Sequence, residues 1–508
     1  MSRTLLSAAS LAVLAAAGSL YADSGAPLER AASGLHTAAA PARGALLAGP
    51  TIFRIDTGPF SSAEHIEPAF LADVLAKAGR ELAAAAGTPR CTITSYTLRY
   101  STVGGGGEPT DASTALLLPS GADPVCSGPR PVLLYAHGTS TARDHNMARL
   151  RGEAKLVAAL FTAQGYIVVA PNYAGYEGSS LPYHPYLNAE QQSADMVDAL
   201  RAARDAMHRL GVAPGPQLFL AGYSQGGFVT LATQRALQRS EDFHVTAAAG
   251  LSGPYALAHF ADTVFSGQPN AGITIYLPLI ATSAQRAGAA IYSKPEDLYE
   301  NPYAQGIETL LPGNMTRADL VKRGKLPQRA VFASDSQPQG NDAAPYFSNP
   351  HLVRTSYREA YLRDMADHPC SGDPGAGCTS SNNLRKWMQK NDLRNYLPQS
   401  PLLLCGGSQD PSVPFYNARD AAAYFSARGA PPVLLDLEEQ GAQDGYAAVR
   451  QTFATLRADA LKAAQEEAAK SGRSAHELML ESYHARIAGA PCLLAARQFF
   501  ASVMRQPQ

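Results

Sequence analysis

The sequence predicts an α/β fold, a mostly parallel central sheet with helices on both faces. Two observations carry this expectation. From residue 131 onward, short apolar runs recur at 132–136, 166–170, 218–221, 245–251, 402–405 and 433–437. Such runs are what a parallel sheet covered on both faces demands. Between them the period changes: Met196, Leu200, Ala203, Met207 and Leu210 recur at spacings of four and three and stop at Gly211. That is one face of a helix with a glycine past its end. Strands alternating with helices imply right-handed βαβ crossovers.

The elements follow in chain order. Residues 1–22 carry one positive charge, an apolar core ending near Leu20, and small residues before polar chain resumes. This predicts a signal peptide cleaved after Ala17 or Ala22, and therefore a secreted or periplasmic protein. A membrane anchor is the alternative; the stretch is Ala-rich and barely long enough to span. Residues 23–85 are expected to form an N-terminal arm, of which 23–50, Ala-, Gly- and Pro-rich with no clear period, reads as a mobile leader or a loosely docked stretch. Strand-like alternation begins after Cys91, pauses at Gly104–Gly107 and resumes at Thr114, which predicts a β-hairpin. The glycine run lacks the Lys-Ser/Thr of a phosphate loop. Residues 86–255 and 396–508 are assigned to the catalytic domain. Residues 256–395 lose the strand rhythm and are rich in Pro, Gly, Asn and Tyr, an insertion above the sheet. Within it the apolar stretch 271–295 suits either a substrate pocket or ordinary core. A second interruption near 440–480 carries a helix marked by Val449, Phe453, Leu456 and Ala460.

Composition excludes several classes. Of 508 residues, 46% are hydrophobic and 17% charged, with a formal net charge of −1 and no long Lys/Arg run. That is globular composition with no phosphate-binding surface, so nucleic acid is not an expected partner. Six cysteines, Cys91, Cys126, Cys370, Cys378, Cys405 and Cys492, fit an exported chain. None has CxxC spacing, which argues against zinc or redox motifs. About fifteen pairings are formally open; the expected set is Cys91–Cys126, Cys370–Cys378 and Cys405–Cys492.

The motif that carries chemistry is Gly222-Tyr223-Ser224-Gln225-Gly226-Gly227. Alone, GxSxG is weak. Here an apolar strand precedes it and a helical stretch from Phe228 follows, the strand–turn–helix setting of a nucleophile elbow in an α/β-hydrolase fold. A serine hydroxyl needs a neutral imidazole to take its proton and a carboxylate to orient that ring. In this fold the order is Ser, acid, His. Asp410, on a loop just past the run 402–405, is the candidate acid; Asp436 is a weaker one because it sits inside a strand-like run. Two histidines follow Asp410. His484 stands before the final helical stretch, whereas His476 lies within a helical segment that also lacks the second His of HExxH. His484 is the candidate base. The backbone N–H groups of Thr139, after the run ending His137-Gly138, and of Gln225 are the candidate oxyanion donors. His137 is expected to be structural. No metal and no cofactor are called for.

Tyr135-Ala-His-Gly-Thr139, Ala170-Pro-Asn-Tyr-Ala-Gly-Tyr176, His184-Pro-Tyr-Leu187, the serine hexapeptide and Asp410-Pro-Ser-Val-Pro414 together resemble secretory lipases and related bacterial esterases, a Candida lipase A-like group of α/β-hydrolases. The resemblance covers roughly 90–260 and 395–505. It implies a helical cap inserted between late strands and hydrolysis of carboxylic esters. It carries the nucleophile, acid and base roles to Ser224, Asp410 and His484. The stretch from Asp410 to His484 is longer than the group's usual one, and the cap matches no motif. The expected substrate is a small-molecule or lipid ester, with a lipid–water interface as one setting. Two other readings stand beside it: a secreted serine peptidase of the same fold, and an inactive binding module. Oligomeric state is not legible.

Overall fold

A computed structural model describes residues 41–505, apart from 59–60, 337 and 371–378. The expected signal peptide and the start of the arm lie outside the described residues, and so does Cys378 with its expected bridge to Cys370. The sheet is built from β1 (Leu46–Ile52), β2 (Thr92–Val103), β3 (Pro109–Ser120), β4 (Arg130–Ala136), β5 (Ile167–Pro171), β6 (Pro214–Tyr223), β7 (Ala247–Leu251), β8 (Leu402–Gly406) and β9 (Val433–Asp436). Its order is β1-β2-β3-β5-β4-β6-β7-β8-β9, with the short strand His65–Ile66 also on β2. The first three strands and the β3–β5 pair are antiparallel. From β5 through β9 every pairing is parallel. The β2–β3 hairpin pairs Thr92 with Ser120 through Val103 with Pro109.

Helices α1 (Pro68–Ala78), α2 (Arg80–Ala86), α3 (Glu153–Leu160), α4 (Ala189–Arg209) and α5 (Gln225–Leu237) precede the insertion. Between β7 and β8 come α6 (Leu257–Phe265), α7 (Ile273–Arg286), α8 (Arg317–Lys322), α9 (Thr355–Asp367) and α10 (Asn383–Lys390). The chain then adds α11 (Tyr416–Ser426), α12 (Ala447–Ser471), α13 (Ala475–Ser482) and α14 (Gly489–Arg505).

Alternate strand residues feed two cores, as the two-residue period of a strand requires. Val132, Leu134, Leu218, Leu220, Ala248 and Leu404 face one side, with α4, α5 and the inserted helices α6 and α7. Leu133, Tyr135, Phe219, Ala221, Ala249 and Cys405 face the other, with α1, α2, α3 and α14. Each fully buried Leu or Phe contributes about 1.5–3 kcal/mol relative to exposure. The runs of β4 to β8 are continuous because both faces are covered, whereas the edge strand β9 leaves Val433 and Leu434 exposed.

Residues 41–50, the described part of the stretch expected to be mobile or loosely docked, instead lead into and enter the sheet. β1 pairs with β2, and Leu71, Leu75, Leu82 and Ala86 are buried against the α3 side of the sheet. The local text hides this because β1 is an edge strand with Leu47 and Ile52 exposed, so it lacks a clean alternation. Its partner also lies some way down the chain. Among the described residues the disulfides Cys91–Cys126 and Cys405–Cys492 are formed, as expected. The second ties β8 to α14, the two elements that flank the candidate acid and base in sequence.

Candidate active site

β4 and β6 are neighbours, while the chain between them builds β5 on the far side of β4. That reversal opens a crevice at the carboxyl ends of the strands, where open parallel sheets bind ligands. Thr139 follows β4, Ser224 follows β6 and Asp410 follows β8, so the topology alone brings three of the candidates to one rim.

Ser224 sits between β6 and α5 with φ 59° and ψ −120°, a backbone conformation that a non-glycine residue adopts only under constraint. Its N–H donates to the Leu251 carbonyl at 2.8 Å. The flanking glycines are sterically required. A side chain at Gly226 would collide with the Ala136 carbonyl, and one at Gly227 would lie 2.7 Å from the Leu251 carbonyl oxygen. The helix therefore begins pressed against β4 and β7, with its first amides beside the serine.

Asp410 is buried on the loop after β8. Its Oδ1 accepts the Ser412 N–H at 2.9 Å and the Val413 N–H at 3.1 Å, while Oδ2 accepts from His484 Nδ1 at 2.6 Å. A carboxylate can only accept, so the imidazole proton sits on Nδ1 and Nε2 is left as an acceptor. That Nε2 is buried and has no hydrogen-bond partner among the described residues. The Tyr223 ring, adjacent to Ser224, packs 5.1 Å from the His484 ring, and its hydroxyl donates to the His484 carbonyl. Among the described residues the Ser224 hydroxyl makes no hydrogen bond, so the serine and Nε2 are not yet engaged; such bonds often tighten only with substrate bound.

His484 precedes the final helix, as its sequence neighbourhood implied, but not from a loop. It lies inside a π-helical turn, Tyr483–Ala488, that joins α13 to α14 in one helical run. The wider turn marks many functional sites because it re-aims one side chain without ending the helix. His476 lies on α13. Asp436 ends β9 and accepts the Ser408 N–H at 3.1 Å, so it braces the acid loop.

The two oxyanion candidates adjoin the elbow: Gln225 follows Ser224, and Thr139 follows Gly138, on which a Cβ would lie 3.7 Å from the Ser224 Cβ. Among the described residues the backbone N–H of Thr139 and that of Gln225 make no hydrogen bond. The Thr139 hydroxyl shares a 2.8 Å hydrogen bond with the Tyr186 hydroxyl. The Gln225 side chain is held by a residue that the sequence had shown only as part of a string. His184 Nδ1 donates to the Ala174 carbonyl at 2.9 Å, so its Nε2 accepts from Gln225 Nε2 at 2.6 Å. Burial lowers the His184 pKa to about 3, which keeps that ring neutral. Burial, reinforced by His145, likewise keeps His137 well below the usual histidine range. Its one ring proton goes from Nδ1 to the Gly138 carbonyl at 2.6 Å, and the 3.2 Å approach of Nε2 to the Asn172 carbonyl is then contact without a proton. Glu153, at the start of α3, also reaches this rim: its carboxylate accepts the Gly138 N–H at 3.1 Å and the Tyr135 hydroxyl at 2.5 Å. Its one sequence signal was an acid opening a helix.

Two cavities meet at the site. One, of about 50 Å³, touches Ser224 and Gln225 and is walled by Leu257, Val264, Phe265, Ile273, Leu277 and Ile280. The other, of about 260 Å³, touches His484 and carries Arg317, Arg329, Glu477 and Glu481. Tyr276 and Ser412 line both. Among the described residues no group of three His, Cys, Asp or Glu is placed to hold a metal ion.

The structure matches that of LipA, a rice cell wall degrading esterase from Xanthomonas oryzae, with a TM-score of 0.67 and 27% identity over 92% of this chain and 100% of that one. The chain has the α/β-hydrolase fold. A candidate hydrolase from Legionella pneumophila has the same fold, with a TM-score of 0.65 and 20% identity over 90% of this chain and 98% of that one. Candida antarctica lipase A in its closed state lies further off, with a TM-score of 0.48 and 15% identity over 82% of the hydrolase and 81% of its own chain. Residues 153–262, from α3 through the elbow to α6, match the model of the prolyl oligopeptidase family. No curated protein sequence matches the hydrolase.

Proposed function

We propose that the hydrolase is a secreted serine esterase or lipase that cleaves carboxylic esters through an acyl-enzyme on Ser224. The observation that carries this reading is the Asp410–His484 hydrogen bond, which leaves a buried, unpartnered imidazole nitrogen beside the nucleophile elbow. In the proposed cycle His484 Nε2 takes the Ser224 proton as Oγ attacks the ester carbonyl. Asp410 holds the ring in that tautomer and stabilises the imidazolium. Thr139 and Gln225 N–H groups bind the oxyanion, helped by the positive end of α5. His484 then gives its proton to the departing alcohol, and water releases the acyl group by the same route. Secretion is supported by the two disulfides, which persist in oxidising compartments.

Ester rather than amide hydrolysis is favoured by the wall of the cavity at Ser224, which is hydrocarbon and suits an acyl chain better than a charged peptide. The peptidase reading draws on the partial match to the prolyl oligopeptidase family. Parallel assays on p-nitrophenyl esters and aminoacyl anilides separate them: ester turnover should dominate, and dominant anilide turnover would overturn the assignment. The acyl wall makes a further prediction. Ile280→Trp should fill the cavity and cut kcat/KM for octanoate or longer esters by roughly 10-fold or more, leaving acetate within about 3-fold. An unchanged chain-length profile would remove α7 from the acyl pocket.

A further inference from the structure

Glu153 is an acid that the proposed cycle does not use, yet its carboxylate stands at the rim of the site. Side chain and nucleophile flank one glycine. A Cβ built on Gly138 would lie 3.2 Å from Glu153 Oε2 and 3.7 Å from the Ser224 Cβ. Both carboxylate oxygens accept the Gly138 N–H, at 3.1 and 3.2 Å, and Oε1 also accepts the Tyr135 hydroxyl at 2.5 Å. The next amide along is that of Thr139. The peptide that carries it is held at its other end, where His137 Nδ1 lies 2.6 Å from the Gly138 carbonyl oxygen, so the Glu153 bond to the Gly138 N–H leaves this glycine tied on both sides.

We propose that Glu153 is a positioning residue for acyl transfer: its carboxylate clamps the Gly138 amide and, together with His137 on the Gly138 carbonyl, steadies the segment that carries the Thr139 N–H, and its negative charge supports the His484 imidazolium. This rests on the serine hydrolase reading above. The two roles need the ionised form. The titratable groups that face Glu153 are Tyr135 on β4, Tyr173 after β5, Tyr223 on β6 and His484 on the π turn. Burial pushes the Glu153 carboxyl up, while the Tyr135 and Gly138 hydrogen bonds and the charge of His484 hold it down, leaving it at about 7. Protonation near neutrality thus removes the charge and weakens the clamp together.

The test is the pH dependence of kcat/KM for p-nitrophenyl butyrate, from about pH 5 to 9, on the full-length enzyme and two variants. Glu153→Gln keeps size and an amide-accepting oxygen but not the charge. It should lower the plateau by about 10-fold, the scale of a loosened oxyanion donor. Its acid limb should move to lower pH by roughly half a unit or more, because the charge favouring the protonated ring is gone. Tyr135→Phe keeps the charge and removes a donor that favours it, so its limb should move to higher pH. A purely structural role predicts equal losses at every pH; limbs that coincide with wild type in both variants overturn the proposal. Fluorophosphonate labelling of wild type, with Ser224→Ala as the blank, tests the underlying reading separately: an unlabelled wild type sinks the nucleophile assignment, not the clamp alone.

Discussion

Replacing Ser224 with alanine should lower kcat for ester hydrolysis by about 10⁴- to 10⁶-fold. At about 1.4 kcal/mol per decade this corresponds to roughly 5–8 kcal/mol of transition-state stabilisation. The loss is large because no covalent intermediate forms and the Asp410–His484 pair has no hydroxyl to activate. Some acceleration over water should remain, since the Thr139 and Gln225 amides still line the oxyanion site. The fold should be little affected. Alanine accepts the same strained backbone as serine at φ 59°, and the Ser224 N–H keeps its bond to the Leu251 carbonyl. Steady-state rates on purified variant, with a thermal melt beside them, make the measurement. Activity within 100-fold of wild type and an unchanged melt would place the nucleophile elsewhere.

The largest stability effect is expected at Arg385. This guanidinium, 2% exposed, is shared between helices of the insertion. Nε and Nη2 each meet an Asp262 oxygen at 3.1 Å, which ties α10 to α6. Nη1 donates to Asp364 Oδ2 at 3.2 Å, to the Asp364 carbonyl at 3.1 Å and to the His368 carbonyl at 2.8 Å, which ties α10 to α9. Arg385→Met keeps much of the volume and removes every donor, leaving the buried Asp364, the partly buried Asp262 and two carbonyls short of partners. Breaking such a buried ion cluster costs about 3–5 kcal/mol. Urea unfolding at neutral pH should show that loss, and a change below about 1 kcal/mol would mean the acids find other donors.

The cluster also predicts an acid dependence. Burial raises the Asp364 pKa, but bonds from Ser381 and Asn382 and the Arg385 charge outweigh it and bring the carboxyl to about 2. A carboxyl lowered on folding adds stability above its ordinary pKa near 4 and loses it as pH falls through about 2. The gap between wild type and Arg385→Met should therefore narrow as pH drops from about 5 to 2.

Much of this architecture was legible locally. The six apolar runs mark β4 to β9; for β4 to β8 the reason is that a strand covered on both faces needs apolar side chains at every position, while the edge strand β9 exposes Val433 and Leu434. The elbow was legible because Gly222, Ser224 and Gly226 are adjacent in the chain, and the reasons for them, a strained turn and a helix pressed on β4, act within a few residues. The fold's order of acid and base then pointed to Asp410 and His484. Other features were not legible. The β1 strand is an edge whose partner lies far along the chain. The π turn at His484 comes from how α13 and α14 dock, and nothing in Tyr483-His484-Ala485 announces it. His184 and Glu153 carry ordinary text; only their neighbours in space give them a task.

By itself, then, the sequence determined the strand and helix periods, the steric need for glycine around Ser224, and which residue types stand in hydrolase order. The tertiary structure alone decided that His484 reaches across 74 residues to Asp410, that Glu153 meets Gly138, and that a thin hydrocarbon cleft opens at the serine. The division has a physical cause. Period and backbone sterics act between neighbours along the chain, whereas hydrogen-bond partners and burial are properties of a packed sheet and exist only once distant segments meet.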